Sequence, residues 1–224
     1  MNSTSGTLRL YLGCMFSGKT SELIREYQRY KKIGKRVICI NYSFDTRYGE
    51  DEFVYSHDLN KIECIKSQSL MEIPKDQIMS YDVILINEGQ FFKDILEFCT
   101  TYCDKYFKHI IVCGLDGDYL RKPFGQMNDL ISMADEITKL KAFCTECNDG
   151  TPAIFTWRLS SVKEQVSIGT DYTPLCRKHY IQLSNNIKEE INHFYNKGER
   201  KQVNTKNNLN KIFDFKNNEI DFII

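Results

Sequence analysis

Gly13-Cys14-Met15-Phe16-Ser17-Gly18-Lys19-Thr20 follows directly on the apolar run Leu8, Leu10, Tyr11, Leu12 and directly precedes an amphipathic stretch. The octet matches G-x-x-x-x-G-K-[ST] at every fixed position, in the strand-then-helix context that pattern requires. Gly13 and Gly18 let the backbone curl so that successive N–H groups, from Cys14 through Ser17, point at phosphate oxygens. Lys19 reaches the outer phosphates, and Thr20 offers a hydroxyl to Mg²⁺. Ser21 opens the following helix, whose N-terminal partial positive charge favours an anion. A glycine-rich turn is the plain alternative, and it leaves both flanks unexplained. Taken alone, the loop says that a triphosphate is bound, which suits a GTPase, a motor or a kinase equally.

Four apolar runs, Leu8 to Leu12, Val37 to Ile40, Val83 to Ile86 and Ile110 to Cys113, are bounded by turn-prone or polar residues. Each reads as a buried parallel strand. Ser21 to Lys32 places Leu23, Ile24, Tyr27 and Tyr30 at helical spacing, with Gly34 positioned to end the helix. Ile95 to Phe107 repeats the pattern through Leu96, Cys99, Cys103 and Phe107, and Met127 to Leu140 reads as a further helix. The expected fold is therefore α/β, an open parallel P-loop sheet with helices on both faces, whose ligands bind at the carboxyl ends of the strands. The residues just past each run fit that rule: the P-loop, then Asp45-Thr46-Arg47, then Asn87-Glu88-Gly89-Gln90, then Asp116 and Arg121-Lys122-Pro123-Phe124.

Thirty Lys and Arg balance 30 Asp and Glu, so nothing in the overall charge marks a protein built to grip long nucleic acid. No apolar run approaches the roughly 20 residues needed to span a bilayer. The start, Met1-Asn2-Ser3-Thr4-Ser5-Gly6, has no charged-then-apolar leader, so the expectation is a cytoplasmic protein without a membrane or nucleic-acid partner. Nine cysteines make an odd count, and Cys39, Cys64, Cys99 and Cys113 lie within apolar segments, which suits buried reduced thiols. Cys144-x-x-Cys147 and Cys176-x-x-His179 are different. Separated by 28 residues, they form two ligand pairs able to close a tetrahedral Zn²⁺ site with no open position, hence structural rather than catalytic. A C-x-x-C redox couple is the alternative, and no thioredoxin-like context surrounds Cys144.

From about Leu8 to Tyr180 the chain resembles the type II thymidine kinase family, the cytosolic, zinc-containing form. The likeness rests on G-C-M-F-S-G-K-T-S, D-T-R-Y at Asp45 to Tyr48, N-E-G-Q-F-F at Asn87 to Phe92, L-D-G-D-Y-L-R-K-P-F at Leu115 to Phe124, C-T-E-C, and Y-T-P-L-C-R-K-H-Y at Tyr172 to Tyr180. The resemblance implies transfer of the ATP γ-phosphate to the 5′-hydroxyl of thymidine or deoxyuridine. It implies a homotetramer, feedback inhibition by thymidine triphosphate (dTTP), and a zinc-held lasso over the base, here Asn148 to Leu175. Glu88 matches the general base, and Lys19 and Arg47 the other catalytic positions. Asp45, with Thr20, matches the Mg²⁺ position, and Asn87, Gly89 and Gln90 join the nucleotide site. Met15, Phe91, Leu115, Tyr119, Phe124, Thr156, Gly169 and Tyr172 match the nucleoside pocket.

Asn87 stands where the family usually carries an aspartate that helps hold Mg²⁺, which predicts weaker metal affinity carried by Asp45 and Thr20. Cys14 replaces a proline, His179 replaces a fourth cysteine, and Val166 to Tyr172 is one residue short of the family's glycine-rich version. The expected domains are 7–142, the P-loop α/β domain, and 143–182, the zinc-binding lasso, followed by a flexible tail over 183–224 with one short helix at Ile187 to Tyr195. His57, His109 and His193 carry no assignment. Two further readings remain: a zinc-ribbon P-loop ATPase acting on DNA, and a non-catalytic nucleoside-binding relative.

Overall fold

The computed structural model describes residues 5–43, 53–55, 60–159 and 171–196, with the side chains of 188 and 190–196 set aside. In chain order the strands are β1 (Thr7–Gly13), β2 (Val37–Tyr42), β3 (Phe53–Tyr55), β4 (Lys61–Glu63), β5 (Ile65–Ser67), β6 (Val83–Ile86), β7 (His109–Gly114), β8 (Glu136–Leu140), β9 (Ala142–Phe143), β10 (Pro152–Ala153), β11 (Phe155–Arg158) and β12 (Tyr172–Leu175). The α-helices are α1 (Lys19–Lys32), α2 (Lys75–Met79), α3 (Ile95–Thr100) and α4 (Arg177–Asn196).

Six strands form one sheet in the order β5-β2-β6-β7-β1-β8, and every pairing in it is parallel. The four apolar runs are its inner strands. Each is covered on both sides, and successive side chains point to opposite faces, so the runs sort by alternation. Leu8, Leu10, Leu12, Ile38, Ile40, Ile84, Ile86, Ile110 and Val112 pack with Phe92, Ile95, Phe98 and Leu130 on the α3 side. Tyr11, Val37, Cys39, Val83, Leu85, Ile111 and Cys113 pack with Leu23 and Ile24 of α1 on the other, where the β3–β4 hairpin adds Val54 and Ile62. Helices thus lie on both faces, as expected.

Three elements differ from the sequence reading. Met127 to Leu140 is not one helix: a single 3₁₀ stretch, Asp129–Met133, gives way at Ala134 to extended backbone and then to β8. Met127 and Leu130 do point into the core at helical spacing. Beyond them the open edge of β1 takes the chain: the Leu8 N–H donates to the Asp135 carboxylate at 2.7 Å, the Asp135 N–H donates to the Leu8 carbonyl at 2.8 Å, and β8 continues the ladder. An edge position leaves Glu136, Ile137 and Lys139 exposed, which is why no apolar run announced the strand. The second helix stops short of Phe107. After α3 it widens into a π-helical turn, Thr101–Lys105, and Phe107 lies outside it, exposed and left-handed at φ 53°. Finally, α4 begins at Arg177 rather than at Ile187 and runs unbroken to Asn196.

A third cluster builds the small lobe. Cys14 of the P-loop packs with Ala142, Cys144, Ala153, Leu175, Cys176 and Tyr180, flanked by Phe155 and Trp157. It rests on two antiparallel pairs, β9–β10 and β11–β12.

Candidate active site

The carboxyl ends of β1, β6 and β7 lie on one edge of the parallel sheet, and the P-loop follows β1 there. Gly13 adopts φ 151°, and a Cβ there would lie 2.5 Å from the Leu140 carbonyl oxygen and 2.8 Å from Ser17 Oγ. Only glycine lets the loop leave β1 so close to β8. Phe16 and Gly18 are left-handed at φ 63° and 81°, completing the curl into α1. Within it the Lys19 Nζ donates to the Cys14 carbonyl at 2.7 Å and approaches Ser17 Oγ at 3.5 Å, so the ammonium lies inside the loop's concavity. Lys19 is buried, Thr20 half-buried at the start of α1, and Ser21 exposed beside it. Burial pushes the Cys14 thiol up from its ordinary value, so it stays protonated.

Glu88 follows β6 in a left-handed conformation, φ 53° and ψ 46°, which strains a residue with a Cβ. The turn after it supports the conformation through the Phe91 N–H, 3.1 Å from the Glu88 carbonyl. One Glu88 carboxylate oxygen accepts from Gln90 Nε2 at 2.6 Å, while Gln90 Oε1 accepts the Leu115 N–H at 3.0 Å. Gln90 is buried, and it joins the end of β6 to the segment leaving β7. Gly125 closes this corner: at φ 55° its absent Cβ would lie 2.2 Å from the Gln90 carbonyl. Asn87 faces inward, 2 % exposed, its Nδ2 donating to Asn41 Oδ1 at 2.9 Å and its Oδ1 accepting from the Cys113 thiol at 3.1 Å. Both ends of that amide are engaged by neighbours. Asp116 is paired with Lys139 at 2.5 Å.

Aromatic groups gather beside this edge. Phe91 stacks on Tyr42 at 5.2 Å and meets Phe124 edge-on at 5.5 Å. Asp118, buried, caps the turn that carries Tyr119, its Oδ1 accepting the Leu120 and Lys122 N–H groups at 2.8 and 2.9 Å. From the small lobe, Thr156 Oγ1 accepts the Met15 N–H at 3.0 Å, which binds P-loop to β11. Tyr172 is buried on β12 and paired in register with Arg158. Arg158 belongs to none of the sequence motifs. It alternates with Thr156, two residues away, and the period of a strand is the signal that points to it. Asp45, Arg47 and Gly169 lie outside the described residues, as does His57. His109 is structural: its Nδ1 lies 2.8 Å from Thr7 Oγ1.

Cys144, Cys147, Cys176 and His179 bring one ligand atom each into a group spanning at most 4.8 Å. The thiols of Cys144, Cys147 and Cys176 lie 3.5, 3.3 and 3.5 Å from His179 Nδ1, and Cys147 Sγ is 3.8 Å from Cys176 Sγ. A tetrahedral zinc with bonds of about 2.0–2.3 Å has ligand–ligand edges of roughly 3.4–3.8 Å. The donor set therefore fits a closed tetrahedral metal site. Burial works against the Cys144 thiolate, yet hydrogen bonds from the Cys176 backbone and the His179 ring bring that thiol down to about 6. All nine cysteines are free thiols.

The family model described as thymidine kinase matches residues 6–180, most of the chain. The chain belongs to the thymidine kinase family. Among thymidine kinase relatives, thymidine kinase a of Arabidopsis thaliana is 42 % identical over 183 residues, 79 % of this chain and 76 % of that protein. The thymidine kinase of Yaba monkey tumor virus is 42 % identical over 187 residues, 83 % of this chain and all of that protein, and that of vaccinia virus strain Western Reserve is 39 % identical over 178, 79 % of this chain and 97 % of that protein. The family match thus takes in together the P-loop, the Glu88 corner and the four residues that could hold a metal. No helix among the described residues is long and apolar enough to cross a membrane.

Proposed function

We propose that the chain transfers the γ-phosphate of ATP to the 5′-hydroxyl of thymidine or deoxyuridine, giving the monophosphate in nucleoside salvage. The observation that carries this reading is the placement, on one edge of the sheet, of a P-loop and of a carboxylate, Glu88, oriented through Gln90 beside a cluster of aromatic side chains. Phosphoryl transfer demands placement and charge neutralisation more than covalent chemistry. Cys14 to Thr20 cradle the phosphates. Lys19 gives up its loop carbonyl to meet the migrating phosphoryl group, and Glu88 accepts the 5′-hydroxyl proton as that oxygen attacks. Met15, Phe91, Leu115, Tyr119, Phe124, Thr156, Gly169 and Tyr172 receive the nucleoside, with flat rings against the base. Thr20 and Asp45 would hold Mg²⁺, which when bound neutralises phosphate charge, and Arg47 completes the phosphate contacts.

Zinc is the metal best suited to three thiolates and an imidazole, and it would fold the 143–182 lobe over the 7–142 domain, with 183–224 appended to that lobe through the continuous helix α4. The family supports a homotetramer inhibited by dTTP. Nine free thiols suit a reducing, cytoplasmic compartment. The test incubates the protein with ATP, Mg²⁺ and thymidine, with and without single-stranded DNA. Thymidine monophosphate that forms regardless of DNA and disappears in Glu88→Gln supports the reading. Hydrolysis that needs DNA, or nucleoside binding without product, overturns it.

A further inference from the structure

Arg158 is 6 % exposed, a buried cation that the reaction outlined above does not use. Its guanidinium lies 4.1 Å from the centre of the Tyr119 ring and 5.1 Å from that of Tyr172, and its Nη2 donates to the Tyr172 hydroxyl oxygen. The β11–β12 hairpin explains the placement. Along β11, side chains alternate: Phe155 and Trp157 turn to Tyr180, at ring distances of 5.1 and 5.2 Å, while Thr156 and Arg158 turn to the opposite face. On that face Thr156 holds the P-loop at Met15, and Arg158, two residues on, stands beyond it. Its two ring partners come from different places, Tyr119 from the segment after β7 and Tyr172 from the neighbouring strand.

We propose that Arg158 is the positioning residue of the acceptor pocket, locking Tyr119 and Tyr172 into one wall and fixing which way the Tyr172 hydroxyl points. This rests on the thymidine kinase reading and deepens it. An arginine has donors and no acceptors, so in the Arg158–Tyr172 bond the phenol oxygen must accept. The phenol proton is thereby directed away from the guanidinium, and Tyr172 is set as a donor on its other side. A desolvated guanidinium between two aromatic faces is also held more tightly than an exposed one, because the ring quadrupoles replace part of its lost hydration. Lysine at this position keeps the charge but loses the planar fork that reaches the rings and the phenol together. Tyr119 is secured from behind by a second contact, the Tyr180 hydroxyl donating to its carbonyl at 2.8 Å. The wall therefore connects, through Tyr180, to the helix that carries His179.

The experiment compares steady-state kinetics of the full chain with Arg158→Met, Arg158→Lys, Tyr172→Phe and the Arg158→Met/Tyr172→Phe double variant, each checked for metal content. The expected result is a thymidine KM raised about tenfold in R158M and Y172F and less in R158K, with the ATP KM within about twofold of the parent. The double variant is expected to be no worse than the poorer single one, because both remove the same bond. An unchanged thymidine KM in metal-replete R158K and Y172F overturns the proposal even if R158M does not fold. So does an equal rise in the two KM values, or full additivity of the pair. A parent protein that phosphorylates no nucleoside overturns the kinase reading and this proposal with it. A parent that is active beside unaffected variants overturns only this one.

Discussion

Gln90 illustrates how much one side chain can carry at this site. Its amide holds the Glu88 carboxylate with one end and the Leu115 N–H with the other, both within 3.0 Å. Gln90→Leu keeps the volume and removes one hydrogen bond from each partner, Glu88 buried and Leu115 half-buried. Each loses a hydrogen bond worth about 1–3 kcal/mol, so kcat should fall about tenfold or more while the ATP KM changes little. A rate unaffected by Q90L would show that Glu88 needs no orienting partner. Asn87 is instructive in another way. The motif puts it among nucleotide-binding residues, but whether an amide at the end of a strand faces a ligand or the core depends on neighbours from other strands, here Asn41 and Cys113.

At the scale of elements, the P-loop is anchored from outside its own motif. The Met15 N–H donates to Thr156 Oγ1, and the Cys14 thiol lies 3.5 Å from the Ala153 carbonyl. Thr156→Val removes the acceptor with almost no change in shape. The expected outcome is a rise of about threefold to tenfold in the KM values of both substrates, since donor loop and acceptor lobe lose a shared contact. A change in only one KM would contradict that coupling. The inner strands behave as one slab. Leu10 is fully buried on the α3 side of the sheet, and Leu10→Ala is expected to cost about 2–5 kcal/mol, read as a lower urea midpoint with an unchanged slope.

Across the whole molecule, two sources of stability separate by experiment. The chain has a single tryptophan, Trp157, packed edge-on against Tyr180 at 5.2 Å in the small lobe. Stripping metal with a chelator should shift its emission to the red at urea concentrations well below the sheet's own transition; simultaneous loss of both signals would mean that the lobe and sheet unfold as one. Acid acts on the sheet side. Burial, with Lys35 nearby, holds the His109 imidazole below its ordinary 6.5, so the unfolded chain takes up the proton first. Stability is therefore expected to rise with pH through that value and to be lost as pH falls below it. Asp82, hydrogen-bonded by Arg36, is lowered from 3.8 to about 2, so its contribution is present above 3.8 and disappears between there and about 2. His109→Asn retains a hydrogen-bonding group at the Nδ1 position and should flatten the first slope, read in urea titrations between about pH 5 and 7.5, while leaving the second, read between about pH 2 and 4.

The sequence by itself determined the inner four strands, the P-loop with its helix, the two Cys/His pairs able to hold a metal, and the family. The signals are local: continuous apolar runs need burial on both faces, the phosphate motif is one octet, and each Cys/His pair is close in the chain even though 28 residues separate the two pairs. Tertiary structure alone decided the rest. Glu136 to Leu140 became a strand because β1 offered an unpaired edge, not because its own residues demand one. Arg158 became part of the candidate site because the β11–β12 register and the turn after β7 bring two tyrosines to it from 39 residues before and 14 after. A buried cation is tolerable only where partners are already assembled around it, and the chain's linear order does not say which partners those are.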